Sequence, residues 1–577
     1  MKFLLAAINA KYIHSNLGIY SLKAYGKKHV PELCIEIGEY TINHQMDQIL
    51  RDIYVKQPDA VGFSCYIWNI TYVKELIRDL KKVLPQIDIW LGGPEVSYCA
   101  GQLLKEEKNI TGIMCGEGEH TFSLLLKAYK QMEEREKGDL KEKDSFSQIP
   151  GLVYRGPEGN IIENHPGPLL PMDELPFSYS DLKDLENRII YYESSRGCPF
   201  SCSYCLSSID KSVRFRSLEL VKKEIDFFLE KQAPQVKFVD RTFNCRKDRT
   251  IEIWNYILNH DNGITNFHFE IAADLLDQEE IEILRKMRPG LVQLEIGVQT
   301  TNLDTIKAIC RKTDLNKLKA AVEAVNQGKN VHQHLDLIAG LPFEDYESFQ
   351  KSFDQVYYME PEQLQLGFLK VLKGSKMKEM AKQYGLKYRS CPPYEVLSTG
   401  WLTYEEVIRL KDIEEMVEVY YNSGQFTKTI KLLETLFPSP FKMFEYLADY
   451  YSQKGLFSVK HSRLARFEIL YQFVCIYGKG REQEFRDCLM YDLYLREKAK
   501  SRPSFASDQT PYKEDIKKYY GEKGKKGPAH IEVMENGSYI YFDYEDRDPL
   551  TYNARTKILR GKTERTQDGK TRDKGRA

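Results

Sequence analysis

The 577-residue chain is 42% hydrophobic and 29% charged, too long for one hydrophobic core and expected to form roughly three or four domains. Its 83 Lys and Arg nearly cancel its 84 Asp and Glu, so nothing in the bulk charge argues for nucleic acid or an anionic membrane. No apolar run approaches spanning length, the N-terminal MKFLLAAINAK included, so no membrane association is expected and the twelve cysteines belong to a reducing cytoplasm rather than a disulfide framework. The first predicted unit, residues 1–132, alternates strand-like KFLLAA, CIEIGEY, AVGFSC, IDIWLGG and ITGIMCG with helical segments. The clearest helix, in NITYVKELIRDLKKVL, carries Ile70, Val73, Leu76, Ile77, Leu80 and Val83 on one stripe, with Asn69 as its N-cap. This alternation predicts a doubly wound parallel sheet. Such a sheet binds at the carboxyl ends of its strands, where small residues admit phosphates or a flat ring. Here those ends read Asn9, Ser64, Gly92-Gly93-Pro94-Glu95 and Gly116-Glu117-Gly118-Glu119.

Residues 133–185 are predicted as a linker and hairpin. The charge-rich EEREKGDLKEKDSF lacks an apolar stripe, and GLVYRGPEGNIIENHPG reads as two strands around a turn at Pro157–Asn160. From residue 186 to 400, strand-like runs at Ile189–Ser195, Val236–Asp240, Phe267–Ala273, Leu291–Val298, His334–Leu341 and Leu364–Val371 alternate with helical patterns. One helix, LELVKKEIDFFLEKQ, presents Leu218, Val221, Ile225 and Phe228 on one face. Strands alternating with helices imply a second parallel sheet with right-handed crossovers. Its first strand is followed by SSRGCPFSCSYCLSS, with thiols at Cys198, Cys202 and Cys205. The other nine cysteines stand singly and read as small buried hydrophobes. A structural zinc ion wants four protein ligands, usually as two pairs, and no second pair or nearby His follows. Three thiolates would instead leave one iron of a cubane iron–sulfur cluster open.

The spacing C-x-x-x-C-x-x-C, with Tyr204 just before the last cysteine, closely resembles the motif of the radical S-adenosylmethionine (SAM) superfamily. The resemblance implies a partial (β/α)6 TIM-type barrel and a [4Fe-4S] cluster on Cys198, Cys202 and Cys205, with SAM chelated at the open iron. It also implies SAM contacts from Tyr204, from Asp240 and Arg241 in FVDRTFN, from Glu270, Gly297 and Gln299, and from Leu341 in GLPFED. Gln299 departs from the pattern, standing where many relatives carry glutamate. Upstream of such a barrel, LGGPEVS with CGEGEHTF resembles the cobalamin-binding domain fused to many radical SAM enzymes. Asn9, Ser64, Gly92, Gly93, Gly116, Glu117 and Gly118 are then the expected cobalamin contacts. The D-x-H-x-x-G signature of a histidine cobalt ligand is absent around His14, His44 and His120, as it commonly is in the radical SAM group.

Residues 401–550 are helical by period and rich in Tyr and Phe, with a hairpin in HIEVMENGSYIYFDY, and resemble an added C-terminal domain of unknown function. Residues 551–577 are expected to be a disordered basic tail, whose lack of stacking aromatics argues against an RNA partner. The resemblance as a whole implies reductive cleavage of SAM, fed by an external one-electron reductant of flavodoxin or ferredoxin type. Cobalamin-dependent C-methylation or related C–C bond formation would follow. Rearrangement or ring contraction is the alternative within that chemistry, and a noncatalytic iron–sulfur or zinc-binding interaction protein the alternative outside it. No motif names the substrate or a protein catalytic group.

Overall fold

A computed structural model describes residues 1–135, 146–523 and 528–560. The chain divides into two compact units, one of Met1–Ser352 with Leu366–Val407, the other of Phe353–Gln365 with Ile408 onward.

The first unit opens with β1 (Lys2–Asn9), α1 (Leu17–His29), β2 (Cys34–Thr41), α2 (Met46–Lys56), β3 (Ala60–Ser64), α3 (Ile70–Val83), β4 (Asp88–Gly92), α4 (Pro94–Ser97), α5 (Ala100–Glu106), β5 (Gly112–Met114) and α6 (Gly118–Arg135). A hairpin, β6 (Leu152–Arg155) and β7 (Ile161–Glu163), completes a seven-stranded sheet of order β2-β1-β3-β4-β5-β6-β7. The first five strands run parallel and the hairpin antiparallel. Alternate residues of β1 explain the two layers. Leu4, Ala6 and Ile8 pack with α2, α3 and α5, while Phe3, Leu5 and Ala7 pack with α1 and α6. The stripe of α3 is buried as expected except at Val83, the last residue of the helix, which is 43% exposed.

A second sheet follows: β8 (Ile190–Tyr192), the short ladder of β9 (Ser195–Arg196) with β10 (Arg214–Phe215), α7 (Leu218–Glu230), β11 (Gln235–Phe238), α8 (Lys247–Asn259), β12 (Asn266–Ile271), α9 (Gln278–Lys286), β13 (Val292–Gln299), α10 (Leu303–Ala308), α11 (Leu315–Asn326), β14 (His332–Ala339), α12 (Tyr346–Tyr357) and β15 (Gln363–Phe368). Its order, β15-β14-β13-β12-β11-β8, makes the open six-stranded barrel. After it come α13 (Lys376–Glu379) and a small ladder of β16 (Lys387–Tyr388) and β17 (Val396–Ser398).

The second unit holds α14 (Tyr404–Val417) from Ile408 on, α15 (Thr427–Glu434), α16 (Pro440–Gln453), α17 (Arg463–Tyr477), α18 (Glu482–Arg496) and α19 (Lys513–Lys523), then a three-stranded antiparallel sheet. Its strands are β18 (Ala529–Val533), β19 (Tyr539–Arg547) and β20 (Ala554–Arg560). The strand β20 corrects one expectation: residues 554–560, assigned to a disordered tail on composition, pair with β19, which satisfies a ladder edge that charge counting ignores. Residues 561–577 of that tail, and most of the charge-rich linker, lie outside the described residues. The single cysteines are corrected too. Cys65 is buried, but Cys34, Cys391 and Cys475 are exposed, so sulfur's apolarity alone does not bury a residue.

Candidate functional site: the cysteine loop and the cavity between two sheets

The three cysteines occupy the turn between β9 and β10. Gly197 stands at φ +93°, and a Cβ there would lie 2.4 Å from the Ser212 carbonyl oxygen, so only glycine closes this loop. Cys198 N–H donates to the Asp210 carbonyl at 3.1 Å, and the Ser208 hydroxyl donates to the carbonyls of Cys202 and Cys205 at 2.9 and 2.6 Å. Cys198 and Cys202 are 8% and 7% exposed, and Cys205 is half-buried. All three are free thiols, and burial pushes the Cys202 thiol up although the Arg311 guanidinium opposes it. Among the described residues no three His, Cys, Asp or Glu side chains converge as they would on a single ion. A cubane spreads three thiolates over three corners, and one loop carrying three thiols beside a guanidinium fits it.

Arg311 is the residue that sequence reasoning missed. It donates to Cys202 Sγ at 3.8 Å, to the Tyr204 hydroxyl at 3.3 Å and to the Gly297 carbonyl. One guanidinium thus ties the cysteine loop to the end of β13. A Cβ at Gly297 would sit 2.2 Å from Gln299 Nε2 and displace that side chain, and Gln299 itself takes φ +71°, a left-handed backbone uncommon outside glycine. Asp240 is buried, and its carboxylate accepts from Ser194 N–H at 2.9 Å and from the Ser194 and Ser195 hydroxyls at 2.7 and 2.6 Å. It latches β11 to the start of the cysteine loop. Leu341 is fully buried in an apolar cluster with Ile309, Leu369 and Val396. Arg241 is exposed and accompanied by Glu270, whose carboxyl burial raises while the Arg241 charge lowers it.

The carboxyl ends of the N-terminal sheet and of the barrel strands β8, β11 and β12 line one cavity of roughly 720 Å3. From the first sheet come Asn9, Ser64, Gly92, Gly93, Gly116, Glu117 and Gly118, all seven of the residues singled out there. From the barrel come Tyr191, Glu193, Lys237, Arg241 and Glu270. The order β2-β1-β3 puts the switch point between β1 and β3, where the two following loops diverge and open a crevice. Asn69 braces that crevice rather than capping α3: its amide nitrogen donates to the carbonyls of Ile8 and Ser64 at 3.0 and 2.9 Å, and its oxygen accepts from Tyr66 N–H. Tyr66 and Trp68 stack at 4.3 Å on the cavity wall. His14 meets the Tyr191 hydroxyl at 2.7 Å, and burial pushes that phenol up to about 12.

The glycines are not equivalent. Gly93, at φ +106°, would place a Cβ 2.6 Å from the Cys65 carbonyl, so it serves the β3–β4 packing itself. Gly116, at φ +79°, has nothing within 4 Å of its missing Cβ, an open cradle beside the cavity. Glu117 and Glu119 both engage arginines of the cysteine loop. Glu117 accepts from Arg214, and Glu119 from Arg196 at 2.5 and 3.2 Å, with the Ser21 hydroxyl at 2.7 Å. Burial would raise the Glu119 carboxyl, but the Arg196 charge and these hydrogen bonds hold it below its ordinary range.

Three family descriptions match in chain order: "B12 binding domain" over residues 4–126, "Radical SAM superfamily" over 192–356, and "Protein of unknown function (DUF4080)" over 382–538. The chain therefore carries a B12-binding domain, a radical SAM domain and a DUF4080 domain in series. It is similar to the cobalamin-dependent radical SAM methyltransferase TokK of Streptomyces tokunonensis, 24% identical over 58% of this chain and 50% of that one. It is similar too to the anaerobic magnesium-protoporphyrin IX monomethyl ester cyclase of Rubrivivax gelatinosus, 24% identical over 55% of this chain and 57% of the relative. The chain spans about half the length of these curated relatives. The fold of the cobalamin-dependent SAM radical enzyme OxsB superimposes with a TM-score of 0.57 at 14% identity, covering 90% of this chain and 80% of OxsB. No helix among the described residues is long and apolar enough to cross a membrane.

Proposed function

We propose that this radical SAM protein cleaves SAM reductively at a [4Fe-4S] cluster held by Cys198, Cys202 and Cys205, and uses cobalamin on its N-terminal sheet to methylate carbon or form a related C–C bond. The single observation that carries the reading is the cavity lined both by the seven residues of the N-terminal sheet and by Arg241 and Glu270 of the barrel, since two cofactors can act on one substrate only where their sites open into the same space; the cysteine loop itself does not line it but is joined to it through Arg196, which does. When bound, the cluster supplies one electron to SAM and cobalamin supplies the carbon donor. The chain's own residues bind, orient and exclude water. Arg311 offsets the charge of the cluster thiolates and holds the Gly297 turn against them. Tyr204, Gly297, Gln299, Arg241 and Glu270 are assigned to SAM, with Asp240 and Leu341 positioning the loops that carry them. Asn9, Ser64, Gly92, Gly116, Glu117 and Gly118 are assigned to cobalamin, with the Tyr66–Trp68 stack as a flat wall. The thiols require a reducing compartment, the cytoplasm, and an external one-electron donor. A second reading, cobalamin without methyl transfer, rests on the equal likeness to the cyclase.

The test is anaerobic reconstitution followed by product analysis. Replacing all three cysteines by Ala should remove bound iron, sulfide and SAM cleavage while the circular dichroism spectrum persists. With dithionite and substrate, the wild type should release both 5′-deoxyadenosine and S-adenosylhomocysteine. Turnover giving 5′-deoxyadenosine alone with cobalamin bound selects the second reading, and undiminished iron in the triple variant overturns both.

A further inference from the structure

Cys198 and Cys202 are buried, so an electron carrier has to reach the cluster through the surface behind their loop. That surface is built by the segment after β15. Met377 N–H donates to the Ser203 carbonyl at 2.8 Å, and Ser203 N–H donates to the Ile309 carbonyl at 2.9 Å, so α13 and the end of α10 grip the residue between Cys202 and Tyr204. Tyr204 packs against the apolar cluster that includes Met377, Ala381 and Leu386. The outer face of this plug is basic. Between Lys370 and Arg389 stand seven basic residues and one acid, Glu379. Lys373 turns inward onto the buried Glu95 at 2.7 Å. The other six, Lys370, Lys376, Lys378, Lys382, Lys387 and Arg389, are exposed, in a chain whose net charge is −1. Lys307 and Lys312, on the other side of Ile309, are exposed as well, with Asp304 as the neighbouring acid.

We propose that the basic face of residues 370–389, with Lys307 and Lys312, is the docking surface for an acidic one-electron carrier protein of the flavodoxin class. The inference rests on the reading that Cys198, Cys202 and Cys205 hold a reducible cluster, and adds where the electron enters. A predominantly basic field on a segment hydrogen-bonded to the cysteine loop accelerates encounter with a carrier of opposite sign and aligns it without a large apolar interface. The step moves one electron from the reduced carrier to the oxidised cluster and forms no bond. The aromatic trio beside it, Phe343, Tyr384 and Trp401, meets edge-on or tilted rather than as the parallel stacking platform that single-stranded nucleic acid uses.

The experiment uses the full chain with Lys376→Glu, Lys378→Glu and Lys382→Glu combined, all three exposed and outside the cofactor sites, and a chemically reduced flavodoxin as the probe. At low salt, reduction of the cluster, followed by its absorbance, should slow at least tenfold. The difference should shrink in about 0.5 M salt, where charges are screened beyond a few ångströms. Reduction by dithionite should keep its wild-type rate. Binding of oxidised flavodoxin should weaken at least tenfold for the apo chain and the reconstituted chain alike, and a Lys→Gln triple variant should fall between. Wild-type flavodoxin rates and affinity in the Glu variant overturn the proposal. Failure of the wild type to take up a cluster would refute the cysteine reading and leave the binding measurement to decide the surface.

Discussion

Removing the Arg196 guanidinium tests whether the N-terminal sheet and the cysteine loop form one electrostatic unit. Arg196 stands two residues before Cys198 and faces three carboxylates: Glu119 at 2.5 Å, Glu193 at 2.8 Å and Glu117 at 3.3 Å. Glu119 is 4% exposed and would keep only neutral donors, the Ser21 hydroxyl and its own backbone N–H. Truncating one partner of such a buried pair costs about 3–5 kcal/mol, because the remaining charges cannot return to water. Arg196→Met should lower unfolding stability by that amount at pH 8. The sign of its pH dependence follows from the carboxylates. With Arg196 present the Glu119 carboxyl is depressed, so it contributes stability above its unfolded pKa that is lost as pH falls through its folded pKa. Without Arg196 burial dominates, Glu119 and Glu193 titrate upward, and the deficit should shrink from pH 8 toward pH 5. Denaturant midpoints at both pH values measure this, and Glu119→Gln added to Arg196→Met should restore part of the loss. A variant within about 0.5 kcal/mol of wild type at pH 8, or strictly additive single changes, would refute the coupling.

Two further outcomes separate packing from binding and burial from charge. Gly93→Val should destabilise the sheet itself through its clash with the Cys65 backbone, whereas Gly116→Ala, costing roughly 1 kcal/mol for its left-handed backbone, should weaken hydroxocobalamin binding in a spectral titration with little change in melting. Glu344, fully buried with the Thr300 and Ser352 hydroxyls on its carboxyl, is pushed up to about 7 by burial, so it contributes stability below about pH 4.5 that is lost as pH rises through 7; Glu344→Gln should remove roughly 3 kcal/mol of that fall, and an unchanged profile in thermal melts would refute the assignment.

Local order was legible from the chain itself. The period-2 and period-3.6 patterns located the strands of both sheets, because burial of one face or two writes itself into neighbouring residues. The three thiols were legible because all of them lie within one loop, residues 197–213 between β9 and β10, so their spacing in the chain alone defines the motif. What spacing cannot report is which distant groups meet. Arg311 lies 109 residues from Cys202 and no local pattern marks it. Gly93 and Gly116 read alike in sequence, and only the position of the Cys65 carbonyl makes one a packing residue and the other an open cradle. Asp240 and Asn69 stand where ligand and cap were expected, yet folding spends their hydrogen bonds on Ser194, Ser195, Ile8 and Ser64. The chain by itself determined two parallel sheets in sequence, with a three-thiol loop after the first barrel strand. Tertiary structure alone decided that the carboxyl ends of both sheets open into one cavity, because that depends on packing between segments over a hundred residues apart, where hydrogen-bond partners are chosen by proximity in space.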